Sequence, residues 1–200
     1  MNRKTYKIVM AGIAAENGGI ITTKNAERHG FSRTILYNLN KKGVIQRIAH
    51  GQYVVVGEHP DHLLSIGMRS SRLIFSHETA LWLHGLSDRT PDLYSVTAPS
   101  GRVPSNALRG ECKYYYMDPR RFELGKTTVT TPYGNTVTAY DLERTICDCV
   151  RSRNRLDKEM VLNALKQYAA RKDRNPEKLR SYAEKLCSAK AIREYLAKLF

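Results

Sequence analysis

Hydrophobic positions near the start of the chain follow a helical period. The spacing i, i+3, i+4 and i+7 predicts a first amphipathic helix. Its apolar stripe comprises Tyr6, Val9, Met10 and Ile13. Residues 17–19, Asn-Gly-Gly, are expected to end this helix. After an apolar link, Thr22 or Thr23 should cap a short second helix, and Gly30 should provide the tight turn that follows it.

A third helix is predicted from stronger local signals. Ser32 is expected to be its N-cap, Phe31 and Leu36 are spaced for a hydrophobic staple, and Gly43 should stop it. Ile35, Leu36 and Leu39 would form the buried side. The residues left facing outward are Arg33, Thr34, Tyr37, Asn38 and Lys41, followed by Lys42 at the C-terminal end. Arg and Asn read base edges and Thr, Tyr and Lys contact phosphates, so the set suits a helix in the major groove.

Two short strands are predicted next, at residues 44–48 and 53–56, joined through residues 49–52. Gly51 lies at the tip of this hairpin, and Arg47 and His50 would lie on or beside it. The order helix, helix-turn-helix, hairpin indicates a winged helix-turn-helix DNA-binding domain over residues 1–57.

The rest of the chain predicts a mixed, then helical, domain, which makes the protein α+β. Residues 58–72 should form a linker helix, and residues 73–200 the second domain, mixed α/β to about residue 150. Strands are expected at 94–97, 111–117, 126–131 and 136–140, the last two joined by a turn at 132–135. Helices are expected at 76–84, from a cap at Asp141, across residues 160–168, from a cap at Asn175 with Pro176 in the first turn, and over 191–200.

The net charge of the chain indicates what kind of partner it binds. The net charge is +14, divided as +6 over residues 1–60, zero over 61–150 and +8 over 151–200. Such an excess of positive charge favours polyanions as binding partners, and nucleic acid is the first candidate. No apolar run reaches the roughly 20 residues of a membrane helix, no secretory signal follows the basic start, and the four cysteines form no CxxC pair. We therefore expect a cytoplasmic protein with reduced thiols and no membrane partner.

With these elements in place, the chain resembles the AbiEi antitoxins of type IV (abortive infection) toxin–antitoxin systems. The resemblance is carried by the module at 1–57 and by SHETALWLHGL at 76–86, TPYG at 131–134 and YDLERTICD at 140–148. It implies a repressor that binds inverted repeats in its own promoter. It also implies a C-terminal part that counteracts a nucleotidyltransferase-like toxin, without a stable complex being required, and a role in phage defence.

Two other classes of function stay open at this point. Asp141, Glu143 and Asp148 could serve a metal-dependent nucleic-acid enzyme, although Arg144 lies at spacings typical of ion pairs on a helix surface. A protein-binding module with an incidental basic surface is the other alternative.

The remaining candidate chemistry favours structural roles. Glu111-Cys112-Lys113 matches the Glu-x-Lys element of restriction-type nucleases, but the sequence shows no evident partner Asp. His77 and His84 are expected to pack and form hydrogen bonds. We therefore expect no catalytic residue, no metal and no cofactor. The basic C-terminal helices could be a solvated face, an extension of the DNA footprint, or a surface for RNA or toxin.

Overall fold

The computed structural model describes residues 2–101, 106–186 and 189–196. It shows an α+β protein that divides into two compact units. The first unit comprises Met1–Arg69 together with Thr131–Asn135, and the second comprises Ser70–Thr130 and Thr136–Phe200. Cys187 and the last four residues of the helix expected at 191–200 lie outside the described residues.

The described residues of the first unit form four helices and three short strands. In chain order they are α1 (Arg3–Ala15), β1 (Ile21–Thr22), α2 (Thr23–Arg28), α3 (Arg33–Lys41), β2 (Ile45–Ala49), β3 (Gln52–Val55) and α4 (His62–Arg69). The strands form an antiparallel sheet in the order β1-β3-β2. The apolar link expected at residues 20–21 is thus partly a strand, because Ile21 pairs with Tyr53.

The core of this unit follows the predicted apolar stripes. Met10 and Ile13 of α1 and Leu36 and Leu39 of α3 are buried, and Tyr6, Val9 and Ile35 pack partly buried against them. Backbone conformation agrees at the predicted stops, since Gly30 and Gly43 have φ angles of 82° and 63°. The helices are therefore both ended locally and held together by one apolar cluster.

A buried carboxylate connects distant parts of the chain within the first unit. Asp61 is 3% exposed, and its Oδ1 accepts from the backbone N–H of Leu64 at the start of α4. Its Oδ2 accepts from Thr131 Oγ1 at 2.6 Å and from Asn135 Nδ2 at 2.9 Å. Asn135 Nδ2 also donates to the carbonyl of Gly18. Asp61 therefore serves as a structural acceptor.

The second unit is a five-stranded sheet with helices. Its strands are β4 (Ile74–Phe75), β5 (Tyr94–Pro99), β6 (Cys112–Met117), β7 (Lys126–Thr130) and β8 (Thr136–Tyr140). Its helices are α5 (His77–Leu83), α6 (Pro119–Phe122), α7 (Leu142–Arg151), α8 (Lys158–Ala170), α9 (Pro176–Lys185) and α10 (Ala189–Leu196). The predicted caps at Asp141 and Asn175 are confirmed, since their side chains accept from Arg144 N and Lys178 N at 2.9 Å each.

The sheet has the order β6-β5-β4-β8-β7 and mixes parallel and antiparallel pairs. β5 and β6 are parallel, as are β4 and β8, whereas β4–β5 and β7–β8 are antiparallel. The central strand β4 has only two residues, so the sequence showed no alternating run there and we did not predict it. The hairpin of β7 and β8 is confirmed, with β8 at its predicted bounds.

Helix α7 lies at the centre of the second core. The sequence predicts an apolar face through Leu142, Ile146 and Cys149, and all three residues are buried. Every residue from 142 to 150 is buried, including Arg144 and Asp148 at 0% exposure. α5, α8, α9 and α10 all contact α7, so a helix of ordinary amphipathic appearance is covered on all sides.

One further expectation needs correction. The sequence predicts Ser76 as the N-cap of α5, but its hydroxyl makes no capping bond among the described residues; it accepts from Thr97 Oγ1 and contacts His77 Nδ1, both at 2.9 Å. The helix predicted across residues 160–168 is α8, whose buried face contains Val161, Ala164, Leu165 and Tyr168, while Met160 and Leu162 are half-buried. Among the described residues, no helix is long and apolar enough to cross a membrane.

Candidate nucleic-acid interface

Helix α3 presents a polar face that is free of its own core. Leu36 and Leu39 are buried at 0% and 2% exposure, and they fix which side of the helix turns inward. All eight residues predicted to contact DNA are exposed. On and just after α3 these are Arg33, Thr34, Tyr37, Asn38, Lys41 and Lys42, and on the hairpin Arg47 and His50. The structure thus brings the predicted set onto one helix and the adjoining hairpin of the first unit.

The helix is held firmly at both ends. Ser32 Oγ accepts from the N–H of Ile35 at 3.4 Å, as predicted for an N-cap. At the other end, Asn40 Oδ1 accepts from the backbone N–H of Arg47 at 3.0 Å, which ties β2 to the last turn of α3. The exposed side chains are therefore carried by a backbone with little freedom to reorient.

The hairpin of β2 and β3 turns through His50 and Gly51, with Gly51 at a φ of 68°. The carbonyl of Gly51 accepts from the N–H and the hydroxyl of Thr23, at 2.9 and 3.3 Å. Arg47 Nε donates to the carbonyl of Ala49 at 3.2 Å, and its Nη2 lies 3.3 Å from His50 Nδ1. The two predicted hairpin residues are thus in contact with each other, and the tip is anchored on α2.

Charge on this surface is already partly paired in the free protein. Arg33 Nε lies 3.3 Å from Glu27 Oε1, and the Arg33 side chain is 82% exposed. Lys41 Nζ lies 5.0 Å from the centre of the Tyr37 ring. An exposed ion pair of this kind contributes at most about 1 kcal/mol, so a phosphate can displace Glu27 from Arg33 at small cost.

The structure also adds a cation that the sequence reading missed. Arg3, at the start of α1, is exposed, and its Nη2 donates to the carbonyl of Gly43 at 3.0 Å. It therefore stands beside the C-terminal end of α3, next to Lys42. The basic character of residues 3–7 was visible in the sequence, but their approach to Gly43 is a tertiary contact between residues 40 positions apart.

A polar network joins α1 to α2 behind this surface. Glu16 accepts from Asn25 Nδ2 at 2.7 Å and lies 2.8 Å from His29 Nε2. The hydrogen bond to His29, followed by that to Asn25, holds the pKa of Glu16 below its usual range. Because α2 leads into the turn before α3, these contacts help to set where α3 begins.

The acidic residues of α7 were the second candidate site, and their contacts are structural. Asp141 accepts from Tyr182 OH and Lys178 Nζ, both at 3.0 Å. Glu143 accepts from the N–H of Asn175 at 2.9 Å and from Tyr168 OH at 3.4 Å. Both carboxylates therefore hold α8 and α9, or the turn between them, against α7.

Asp148 forms the buried part of this cluster. Its Oδ2 lies 2.9 Å from Arg144 Nε, and its Oδ1 lies 3.0 Å from Arg151 Nη2. Burial raises the pKa of Asp148, while Arg144 and then Arg151 act to lower it. The predicted ion pair of Arg144 with Asp148 is present, but it is buried and not on the helix surface, since both side chains are at 0% exposure.

Arg144 reaches further into the second unit. Its Nη1 donates to the carbonyls of Arg121 and Leu124, and its guanidinium carbon lies 4.0 Å from the centre of the Tyr140 ring. Among the described residues, no group of three His, Cys, Asp or Glu side chains could hold a metal ion. The cluster therefore lacks the open carboxylates that the enzyme alternative needs.

The other candidates also make structural contacts. The ring of His77 stacks on Tyr115, with centroids 3.4 Å apart, and contacts Ser152 Oγ at 3.0 Å. Burial, with smaller effects of nearby arginines, holds the pKa of His77 well below its ordinary value. His84 Nε2 lies 2.8 Å from the carbonyl of Tyr140. Lys113 Nζ lies 3.0 Å from Glu78 Oε2.

The first unit is small and helical, and it exposes the basic helix α3 beside a short hairpin. These features make the chain a candidate nucleic-acid-binding regulator. Comparison with known proteins is consistent with that class. Residues 12–56 match the family model described as "Transcriptional regulator, AbiEi antitoxin". This match supports assignment to the AbiEi antitoxin family. With that assignment it supports DNA binding, regulation of transcription and a toxin–antitoxin role.

A solved structure extends the comparison to the fold of nearly the whole chain. The crystal structure of the RV2827C protein from Mycobacterium tuberculosis superposes with a TM-score of 0.65 at 15% identity, covering 98% of this chain and 80% of that one. At that identity the likeness concerns the fold alone. No curated protein matches the sequence.

Proposed function

We propose that the first unit is a winged helix-turn-helix and that the chain is a DNA-binding autorepressor. α3 would enter the major groove, and the hairpin of β2 and β3 would act as the wing. The observation that carries this proposal is the exposure of the polar face of α3 on a helix held by Ser32 and Asn40. The operator would be the inverted repeats in the chain's own promoter that the family resemblance implies.

Within this surface we assign two kinds of contact. Arg33 and Asn38 would read base edges, because Arg pairs with guanine and Asn with adenine through two hydrogen bonds each. Lys41, Lys42 and Arg47 would contact phosphates, as Thr34, Tyr37 and His50 would through their polar atoms. Arg3 would add a phosphate contact beside Lys42, from its position at the carbonyl of Gly43.

The experiment is a band-shift titration on DNA from upstream of the gene, against a scrambled sequence, at several salt concentrations. Arg33→Ala or Asn38→Ala should weaken operator binding by about 1–3 kcal/mol and reduce the preference over scrambled DNA. Lys41→Ala should weaken binding to operator and scrambled DNA alike. It should also lower the slope of log affinity against log salt concentration by about one.

Arg89→Ala is the charge-matched control, since Arg89 is exposed in the second unit and lies outside the basic C-terminal helices. If Arg33→Ala and Arg89→Ala bind the operator equally well, α3 does not read it. A shift that is insensitive to salt would contradict phosphate contact altogether.

We further propose that the second unit supplies the antitoxin role, acting against a nucleotidyltransferase-like toxin. This part is supported by the family resemblance and by the structural use of the α7 acids, which leaves the enzyme alternative without open carboxylates. Co-expression with the cognate toxin tests it, because growth should be rescued by the wild-type chain and by Arg33→Ala alike. Rescue that fails with both would remove the antitoxin proposal and leave the repressor proposal standing.

A protein-binding module remains the competing proposal for the basic surface. It predicts a tight complex with the toxin that survives high salt, together with no DNA binding.

A further inference from the structure

The sheet of the second unit has two edges, β6 and β7, and they differ in how they are covered. An edge strand presents unpaired N–H and C=O groups and can pair with a strand of another chain. Natural proteins usually block such edges with charged side chains, proline, bulges or covering loops.

The β6 edge is blocked by an arginine. Arg155 Nη2 donates to the carbonyl of Tyr114 at 3.2 Å, and its guanidinium carbon lies 4.4 Å from the centre of the Tyr115 ring. Lys113 Nζ in turn donates to the carbonyl of Arg155 at 3.2 Å. A strand approaching β6 would have to displace these contacts.

No described strand pairs with the outer side of β7, and the register of the hairpin shows which of its backbone groups are free. Thr131 N donates to Asn135 O at 2.7 Å and Asp141 N donates to Gly125 O at 2.8 Å, in line with the pairs of β7 and β8. In an antiparallel ladder alternate residues bond to the partner strand, so odd-numbered residues of β7 face β8. The backbone groups of Lys126, Thr128 and Thr130 therefore point away from the sheet.

These outward groups are almost all unused. The N–H of Lys126 donates to the carbonyl of Glu123 at 3.2 Å. Thr128 and Thr130 have no hydrogen-bond partner for their outward backbone groups among the described residues. The side chains of all three residues are exposed, and the five pairs of the hairpin run without a bulge. β7 thus carries one charge and none of the other blocking devices.

We propose that β7 pairs antiparallel with β7 of a second copy of this chain. Outward-facing residues must meet outward-facing residues, so the central register places Thr128 opposite Thr128 of the second copy. Thr130 then meets Lys126 of the second copy, and Thr127 meets Val129. This register makes two hydrogen bonds between the Thr128 pair and one from each Thr130 N–H to the opposite Lys126 carbonyl.

Charge and side-chain shape favour a second copy as the occupant. The register separates the two Lys126 residues by four strand positions, roughly 14 Å, which exceeds the screening length at physiological salt. It also aligns β-branched threonine and valine side chains, which pair favourably across strands. The paired segment is far smaller than a standard interface, so association should be weak and should require high protein concentration. This inference does not rest on the DNA-binding proposal.

Disulfide cross-linking of the purified full chain tests the register. Residues that form a hydrogen-bonded antiparallel pair have Cα atoms about 5.5 Å apart, within the range that a disulfide spans. Thr128→Cys should therefore give a covalent dimer on mild oxidation at high protein concentration. Thr130→Cys is the matched control, because its two copies would lie roughly 14 Å apart. The wild-type chain controls for its own cysteines. Equal cross-linking at both positions, or at neither, would overturn the proposal.

Charge complementation gives a second, independent readout. Thr128→Lys and Thr128→Glu should each be monomeric by sedimentation velocity, because each places like charges opposite one another. Mixing them should produce a one-to-one dimer of higher affinity than the wild-type pair. A mixture that stays monomeric would overturn self-pairing. If Thr128→Lys then also fails to rescue cells from the toxin, the edge belongs instead to a strand of another protein.

Discussion

Removing the carboxylate of Asp148 tests the structural interpretation of α7 against the catalytic one. In Asp148→Ala, Arg144 keeps its charge at 0% exposure but loses the partner 2.9 Å from its Nε. Breaking a buried ion pair from one side costs about 3–5 kcal/mol, because the remaining charge stays desolvated and unpaired. For a chain of 200 residues this corresponds to a fall in Tm of roughly 6–20 °C.

The assay is thermal unfolding followed by far-ultraviolet circular dichroism, with Asp173→Ala as the control. Asp173 also pairs with an arginine, Arg171, at 2.7 Å, but its side chain is 64% exposed. Removing an exposed pair should cost less than about 1 kcal/mol. The double variant Arg144→Met/Asp148→Leu should recover part of the loss, because no unpaired charge remains.

A catalytic Asp148 would behave differently. If Asp148→Ala unfolds at the same temperature as Asp173→Ala, the buried pair does not hold the second unit together. A variant of unchanged stability that had lost a metal-dependent cleavage activity of the wild-type protein would restore the enzyme alternative.

Three further outcomes are expected. Ser32→Ala should destabilise the first unit by about 0.5–2 kcal/mol, because it removes the acceptor for the N–H of Ile35. Ser32→Asn keeps a capping oxygen and should cost less stability. If the two variants lose the same free energy of unfolding in urea titrations, Ser32 does not act as a cap. Glu27→Gln should raise operator affinity by up to about fivefold in band shifts, because it frees Arg33, whereas Glu58→Gln, an exposed control, should raise it less. The hydrogen bond from Arg171 lowers the pKa of Asp173 from 3.8 to about 2, so the ionised carboxylate stabilises the fold above the unfolded pKa and this stability is lost as pH falls towards 2. Asp173→Asn should therefore lose less Tm than the wild-type chain between about pH 4 and pH 2, and parallel curves would refute this.

Local signals in the sequence predicted most of the first unit. Ser32, Thr22 and Gly43 act within one or two turns of their own position, so caps and stops can be found without tertiary structure. The apolar stripes of α1 and α3 likewise determined which side of α3 faces outward. The eight candidate contacts were predictable for that reason, whereas Arg3 depends on a contact with Gly43, far along the chain.

Only the tertiary structure determined which side chains are covered by elements from other parts of the chain. Arg144 and Asp148 have the spacing of a surface pair, and only the helices around α7 make the pair a buried one. Ser76 has the sequence of a cap, yet its hydroxyl accepts from Thr97, a residue of the neighbouring strand 21 positions away. β4 is too short to show a pattern, and only the strand order of the folded sheet places β7 at an edge. Sequence therefore determined the local elements and their outward faces, and packing determined what each face meets, because burial is a property of the neighbours as much as of the residue.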